Sequence, residues 1–253
     1  MTFSRYIALI GFTASLSQAA FAADKTPEVI EFLQKQGLEV VDTFKTDAGL
    51  TGYAVTVNGR ALSVYLTPDN NYALIGNLID AKGNDLGAAA IQRLISGPAN
   101  DKAWHLLEKS NWVADGKDSA PRIIYTFTDP NCPYCHKFRE AAAAEIAAGT
   151  VQLRHIMVGI IRQDSPSQAA NILGSSDPVK TLLQHHTMLG KGGIKQDQTA
   201  IKNGHAAVNN NTQLLRQLGY SATPTSFYKD ENGQVISVQG LPRPDALNKM
   251  LGK

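Results

Sequence analysis

The sequence predicts an α+β and α/β chain made of a small N-terminal unit, a helical connection and a larger C-terminal unit. Three observations predict this organisation. Several short β-rich runs follow one amphipathic helix early in the chain, and a helical stretch comes after them. Beyond that stretch, a β-rich run leads straight into an alanine-rich helix. The length of 253 residues suits two domains of ordinary size.

The composition excludes several classes of protein. With 43% hydrophobic and 18% charged residues, the chain has too much apolar content to be disordered. Its 24 basic and 22 acidic side chains give a net charge of +2 without a long block of one sign. A nucleic-acid partner is therefore not expected. No segment after the N-terminal region is long and apolar enough to predict membrane insertion.

Residues 1–22 have the pattern of a secretory signal peptide. Arg5 supplies a positive charge, the segment from Tyr6 to Leu16 is largely apolar, and Ala20-Phe21-Ala22 is a cleavage pattern of small residues. The apolar run is too short for a membrane anchor. We expect cleavage after Ala22 and export to an oxidising compartment.

Residues 23–83 are predicted to form the small α+β unit. Its helix begins at Thr26-Pro27-Glu28 and ends at Gly37, and Asn58-Gly59 is a strong hairpin signal. A unit of about 60 residues buries only a small core, which favours packing against a second copy. Its strands are expected at residues 39–45, 50–57, 61–67 and 72–80.

Residues 84–111 read as a helical linker that is interrupted near Gly97-Pro98. The larger unit, residues 112–253, contains a helical insertion at about 165–218. The glycines of segment 190–193 lack the pattern of a phosphate-binding loop, so we interpret them as a flexible connection between helices.

Cys132 and Cys135 are the only two cysteines of the chain. A disulfide that closes so small a loop restricts the unfolded chain very little, so stabilisation is a poor explanation for the pair. Two neighbouring sulfurs suit reversible exchange, because one can attack a partner and the other can resolve the mixed disulfide.

Two other functions are compatible with these cysteines. The string Cys-x-x-Cys-His is also the attachment signature of c-type haem, with His136 as the axial ligand. A zinc site would need a further ligand such as His155 or His185. The β-rich run at residues 122–128, which leads into a helix at the cysteines, favours the redox interpretation.

The helix after this run is predicted to begin at Pro133 and to end at Gly149. Cys132 then lies at its N-terminal end, where backbone N–H groups and the helix dipole lower the pKa of a thiol. We expect Cys132 to be the exposed nucleophile and Cys135 to be the shielded, resolving thiol. His136 either adds positive charge near the thiolate or is a solvated helix residue.

A β-hairpin is predicted near the C-terminus. The dipeptide Thr223-Pro224 precedes a β-rich run, and Glu231-Asn232-Gly233 turns the chain into a second strand at residues 234–238. A proline at a strand entry is also a common structural feature.

The order of these motifs resembles the thioredoxin superfamily. The similarity is greatest to the DsbC/DsbG group of periplasmic thiol:disulfide interchange proteins and covers most of the chain after the signal peptide. The stretches that carry it are Tyr65-Leu66-Thr67-Pro68-Asp69, Trp112-x-x-Asp115-Gly116-Lys117, Asp129-Pro130-x-Cys132-Pro133-Tyr134-Cys135 and Gly240-Leu241-Pro242.

The resemblance implies an architecture and a set of site residues. It implies a thioredoxin-like redox domain joined to a cystatin-like dimerisation domain, in a V-shaped homodimer with an apolar cleft. Cys132 takes the place of the attacking thiol and Cys135 that of the resolving thiol. Pro133-Tyr134 then tunes the active site, and Thr223-Pro224 forms the substrate-facing loop, with a cis peptide bond.

The resemblance also implies an activity. It implies reduction or isomerisation of disulfides, reduction of cysteine sulfenic acids, and chaperone-like binding of oxidised or misfolded periplasmic client proteins. A DsbD-like membrane protein would restore the dithiol, and the Cys132–Cys135 disulfide would replace any cofactor. A non-catalytic holdase chaperone is the remaining alternative.

One position departs from the thioredoxin pattern. Thr126 stands where thioredoxins often bury a carboxylate that assists proton transfer, so proton transfer is expected to be arranged differently here. Asp129 is nearer to the cysteines, but an Asp-Pro turn explains it equally well. We therefore assign it no catalytic role from the sequence.

Overall fold

The computed structural model of the chain describes residues 26–253, so the predicted signal peptide at residues 1–22 lies outside the described part. The described residues form two β-sheets, one of four strands and one of five. No helix within residues 26–253 combines the length and the apolar character needed to cross a membrane.

The smaller sheet is antiparallel throughout, and its spatial order is the order of the chain. Asn58 and Gly59 have φ angles of 50° and 75°, so the predicted hairpin turn is confirmed as a turn with two left-handed residues. The elements are α1 (Glu28–Lys35), β1 (Leu38–Lys45), β2 (Thr51–Val57), β3 (Arg60–Leu66) and β4 (Ala73–Ile75).

Strand β4 is much shorter than the strand predicted at residues 72–80. It ends at Ile75 because Gly76 follows with a φ of 136°, which takes the chain out of the sheet. An isolated bridge between Ile79 and Asp85 is the only further pairing in this segment of the described chain.

The smaller unit buries one face of its sheet under α1. Ile30 of α1 is fully buried against a cluster that includes Leu38, Val55 and Val64. Other large apolar side chains of this unit remain exposed, as expected for a unit too small to cover them. They are Phe32, Val41, Tyr72, Leu74, Ile75 and Ile79.

The larger sheet has the order β5-β7-β6-β8-β9, with β6 and β7 parallel and the other pairs antiparallel. Strand β6 matches the predicted bounds and lies at the centre of the sheet, where most of its side chains are buried. The strands are β5 (Trp112–Asp115), β6 (Arg122–Thr128), β7 (Val151–Met157), β8 (Thr225–Lys229) and β9 (Val235–Gln239).

The helical connection consists of α2 (Ala88–Ile91), a π-helical turn (Gln92–Ser96) and α3 (Gly97–Glu108). The interruption predicted near Gly97-Pro98 takes the form of this π turn. The chain stays helical, since Gly97 keeps angles of −59° and −57° and its N–H bonds to the Gln92 carbonyl five residues earlier. The π turn widens the helix just before Pro98, where the proline ring would otherwise meet the carbonyl of the preceding turn.

The two faces of the larger sheet carry separate clusters. Tyr125 and Phe127 of β6 pack against Trp104 of α3, so the second half of the predicted linker belongs to the core of the larger unit. Ile124 faces the other way and packs with Phe138. This alternation follows from the two-residue period of a strand.

The helix that begins at the cysteines is divided into α4 (Pro133–Ala141) and α5 (Ala143–Ala148). The prediction of one continuous helix is wrong at Ala142, whose N–H is shared between the carbonyls of Phe138 at 3.1 Å and Arg139 at 3.2 Å. Gly149 ends α5 in the left-handed conformation, as predicted, and the last helix, α9 (Pro244–Leu251), follows β9.

The predicted helical insertion contains α6 (Ser165–Leu173), α7 (Pro178–Met188), a 3₁₀ turn (Leu189–Lys191) and α8 (Gln198–Gln217). Gly174 and Gly204 allow α6 and α8 to approach closely. A Cβ atom at Gly204 would lie well inside contact distance of the Ala170 carbonyl oxygen.

We expect Gly204→Ala to destabilise the larger unit by about 1–3 kcal/mol, because the added methyl group forces two helix backbones apart. The measurement is urea unfolding followed by circular dichroism. Gly190→Ala is the matched control in the same insertion, since nothing lies within 4 Å of its added Cβ. Equal stability of the two variants would contradict the close packing of α6 and α8.

Candidate active site

Cys132 is the N-cap residue of α4. It follows the turn after β6 and has a non-helical backbone with φ −85° and ψ 109°. Its Sγ accepts a hydrogen bond from the backbone N–H of Cys135 at 3.1 Å. The sulfur therefore takes the place of a capping oxygen and satisfies one of the free N–H groups at the helix start, where the sequence predicts it.

The loop before β8 faces Cys132. The peptide bond between Thr223 and Pro224 is cis, and the Cys132 sulfur lies 3.3 Å from the carbonyl oxygen of Thr223, to which it donates when it is protonated. The Gly240 N–H donates to the Pro224 carbonyl at 2.7 Å and holds the loop against the end of β9. The structure thus brings together the cysteine pair and the Thr-Pro dipeptide, which are far apart in the sequence.

Both cysteines are unbridged, and each is only 2% exposed. The predicted exposure of Cys132 is wrong, because the Thr223 carbonyl lies over its sulfur. The shielding predicted for Cys135 is observed, since its side chain points to the interior side of α4. Tyr134, between the two cysteines, is 55% exposed and faces the solvent.

The two thiols have opposite pKa shifts. The hydrogen bond from the Cys135 thiol, together with those from the backbone N–H groups of Cys135 and Tyr134, outweighs the opposing effect of burial and lowers the pKa of Cys132 to about 6. Burial, and then the neighbouring Cys132 sulfur, raise the pKa of Cys135 well above its ordinary value. At neutral pH, Cys132 is therefore the thiolate and Cys135 keeps its proton.

At the position on β6 where thioredoxins often bury a carboxylate, this chain has an uncharged residue. Thr126 is completely buried, and its Oγ1 accepts a hydrogen bond from the Ser226 hydroxyl at 3.0 Å. Asp129 is also buried, and its carboxylate accepts hydrogen bonds from the loop after β7 rather than from the sulfurs. Both side chains are satisfied by structural partners.

His136 is not a free, solvated helix residue. Its Nε2 lies 3.2 Å from Glu140 Oε1, and its Nδ1 lies 3.1 Å from Nδ1 of His186 on α7. The two rings stack with centroids 5.3 Å apart. The pair links the active-site helix to the insertion, and sequence reasoning missed His186.

The two histidines considered as zinc ligands have other partners. Nδ1 of His155 lies 2.9 Å from the Thr128 hydroxyl, and Nε2 of His185 donates to the Pro130 carbonyl at 2.8 Å. Within residues 26–253, no three His, Cys, Asp or Glu side chains are arranged so that they could hold a metal ion.

An ion pair also fixes the active-site helix to the edge of the sheet. Nε of Arg139 on α4 donates to Oδ2 of Asp115 on β5 at 2.8 Å. Burial acts to raise the pKa of Asp115, but the neighbouring His155, whose Nε2 lies 3.8 Å from Oδ2, and then the Arg139 guanidinium lower it to about 2. In the sequence, Asp115 belongs to the stretch Trp112-x-x-Asp115-Gly116-Lys117, and Arg139 lies one helical turn after Cys135. These positions were the only signal for the ion pair.

A dithiol at a helix start, opposite a cis-proline loop and on a central β-sheet, defines a thioredoxin-like thiol-disulfide exchange domain. Residues 113–253 match the family described as Thioredoxin-like domain. The crystal structure of the thiol-disulfide exchange protein alpha-DsbA2 from Wolbachia pipientis has the same fold, with a TM-score of 0.50. It is 16% identical, and the match covers 62% of this chain and 95% of that chain.

The chain belongs to the DsbG family of thiol:disulfide interchange proteins. It is 40% identical to DsbG of Pseudomonas aeruginosa over 247 residues, which cover 96% of this chain and 95% of that protein. It is 35% identical to DsbG of Escherichia coli over 239 residues, which cover 94% of this chain and 96% of that protein. The chain is a thiol-disulfide oxidoreductase, and neither the haem-carrier nor the holdase alternative is favoured.

We expect the rate of alkylation of Cys132 by iodoacetamide to reach half of its maximum near pH 6, because only the thiolate reacts and its pKa is lowered to about 6. Mass spectrometry of the reduced protein assigns the modified residue. Unfolding in guanidinium is the control and should return the midpoint to about pH 8.5. An unchanged midpoint on unfolding would contradict the stabilised thiolate.

Proposed function

We propose that Cys132 is the nucleophile and Cys135 the resolving thiol in exchange reactions with exported client proteins. The observation that carries this assignment is the hydrogen bond from the Cys135 N–H to the Cys132 sulfur at the start of α4. It stabilises a negative charge on Cys132 and none on Cys135.

In the first step, the Cys132 thiolate attacks one sulfur of a client disulfide. The client S–S bond breaks, a mixed disulfide with Cys132 forms, and the second client sulfur leaves as a thiolate. Thr223-Pro224 lies beside the attacking Cys132 sulfur and serves as the substrate-facing loop, and the exposed Tyr134 with Pro133 shapes the rim and tunes reactivity.

In the second step, Cys135 loses its proton to the departing client sulfur or to water and attacks the Cys132 sulfur, and the S–S bond between Cys132 and the client breaks. The client leaves as a dithiol, and the Cys132–Cys135 disulfide forms, so two electrons pass from the protein to the client. When a client thiol attacks first, the same mixed disulfide leads to isomerisation.

A cysteine sulfenic acid fits the same site. Attack by Cys132 joins the two sulfurs and releases the hydroxyl group, which leaves as water after gaining a proton. Cys135 then frees the client thiol, as in disulfide reduction. The dithiol carries the electrons in both reactions, so the redox-active Cys132–Cys135 disulfide is proposed to act without a cofactor.

The predicted signal peptide and the similarity to DsbG proteins support a proposed cellular setting. We place the protein in the periplasm, exported by the signal at residues 1–22, with oxidised or misfolded proteins as clients. A DsbD-like membrane reductase would return the Cys132–Cys135 disulfide to the dithiol. Chaperone-like binding of clients would keep their sulfurs near Cys132 during exchange. No nucleic acid and no insertion into the membrane form part of this function.

The smaller unit, residues 23–83, is proposed to form a homodimer. Its exposed apolar side chains include Tyr72, Leu74 and Ile75, which lie on or beside the edge strand β4. An exposed apolar edge strand is an unstable surface in water and is usually covered. A second copy would bury these side chains and leave both redox sites free for clients.

Cys132→Ser should abolish disulfide reduction and leave the fold intact, because the hydroxyl group is not a nucleophile at neutral pH. Cys135→Ser should instead accumulate a mixed disulfide with the client, since attack proceeds without resolution. Non-reducing electrophoresis with a scrambled disulfide protein separates these outcomes. Turnover by Cys132→Ser, or a client trapped on that variant's remaining cysteine, would overturn the assignment.

The double variant Leu74→Arg, Ile75→Arg should convert the proposed dimer to a monomer, because two buried charges at the interface are not compensated. Sedimentation velocity at micromolar concentration measures the change. Leu106→Arg, at an exposed leucine of α3, is the matched control and should leave the dimer intact. A monomeric native protein would refute the homodimer.

A further inference from the structure

Asp129 is a buried carboxylate in the loop that leads from β6 to Cys132. It is 1% exposed. Its Oδ2 accepts hydrogen bonds from the N–H groups of Ile160 at 2.7 Å and Ile161 at 3.0 Å. Its Oδ1 accepts from the Asn131 N–H and from the Ser165 hydroxyl, both at 2.8 Å. These four donors are neutral, and they come from three different parts of the chain.

A second layer of hydrogen bonds surrounds Asp129. The Ser165 hydroxyl oxygen, at the start of α6, accepts from the Arg162 N–H and from the Asn131 side chain, both at 3.0 Å. The Asn131 side chain also donates to Asp164 at 3.0 Å. The first helix of the insertion is therefore tied to the residue just before Cys132.

The same loop supports the active-site sulfur through its backbone. The Cys132 N–H donates to the Asp129 carbonyl at 3.0 Å, and the Cys135 N–H reaches the Cys132 sulfur at 3.1 Å. A bond of this length requires Cys132 to keep the backbone conformation of an N-cap residue. Any movement of segment 129–131 would change it.

We infer that Asp129 is a positioning residue: with Ser165, it connects the helical insertion to the active-site loop and holds Cys132 where the free N–H groups of α4 reach its sulfur. This inference rests on the proposed role of Cys132 as nucleophile. The Asp129 carboxylate touches neither sulfur, so it acts by fixing the backbone of the loop before Cys132. The helical insertion thereby has a function in the chemistry of the site.

Neutralising Asp129 has opposite effects on the pKa of Cys132 according to whether Asp129 acts by its charge or by positioning the loop. If Asp129 acted only as a nearby negative charge, its neutralisation would favour the thiolate and lower the pKa of Cys132. If it positions the loop, an amide in its place turns its NH2 group either toward the N–H groups of Ile160 and Ile161 or toward that of Asn131. The loop then shifts, the bonds to the sulfur weaken, and the pKa of Cys132 rises.

The test compares Asp129→Asn and Ser165→Ala in the full-length reduced protein. The pH dependence of Cys132 alkylation gives its pKa, and thermal unfolding gives stability. We expect the pKa to rise by about one unit in Asp129→Asn, which means a roughly tenfold slower alkylation at pH 5. Ser165→Ala keeps the carboxylate and should shift the pKa in the same direction, by less.

Asp230→Asn is the matched control, because Asp230 also accepts two backbone N–H groups, in the turn between β8 and β9. It should leave the pKa of Cys132 unchanged. A lowered or unchanged pKa in either folded variant overturns the inference, even if its melting temperature falls. If Asp129→Asn does not fold, the pKa of Cys132 in Ser165→Ala alone tests the inference. An ordinary thiol pKa in the native protein would instead refute the proposed nucleophile.

Discussion

The hydrogen bond between the Cys135 N–H and the Cys132 sulfur is the contact on which the rest of the site depends. It exists only while Cys132 stays outside the helix and α4 starts at Pro133. The buried strand β6 fixes where the loop begins, and the ion pair between Arg139 and Asp115 fixes where α4 lies on the sheet. The redox chemistry thus uses the unsatisfied donors that every helix start presents.

Local signals allowed much of this architecture to be predicted from the sequence. Strand β6 has the bounds expected from its β-rich composition, and α4 begins at the proline that favours a first helical turn. The turn at Asn58-Gly59 follows from two residues that accept positive φ angles. Each of these features is decided by a few adjacent residues.

The features that the sequence predicted wrongly or did not predict lie where distant parts of the chain meet. The burial of Cys132 depends on a carbonyl group 91 residues later, at Thr223. Three of the four donors to Asp129 are reached across 31 to 36 residues, and His186 lies 50 residues after His136. No local pattern encodes such contacts, because each requires the sheet order and the placement of the insertion. The resemblance to a family supplied Thr223-Pro224 but not Ser165 or His186.

The carbonyl of Thr223 that lies over the sulfur has a consequence for access. Because Cys132 is only 2% exposed, an electrophile of any size reaches its sulfur only when the segment at Thr223 gives way. Opening of this segment and formation of the thiolate therefore both enter the rate at which Cys132 reacts.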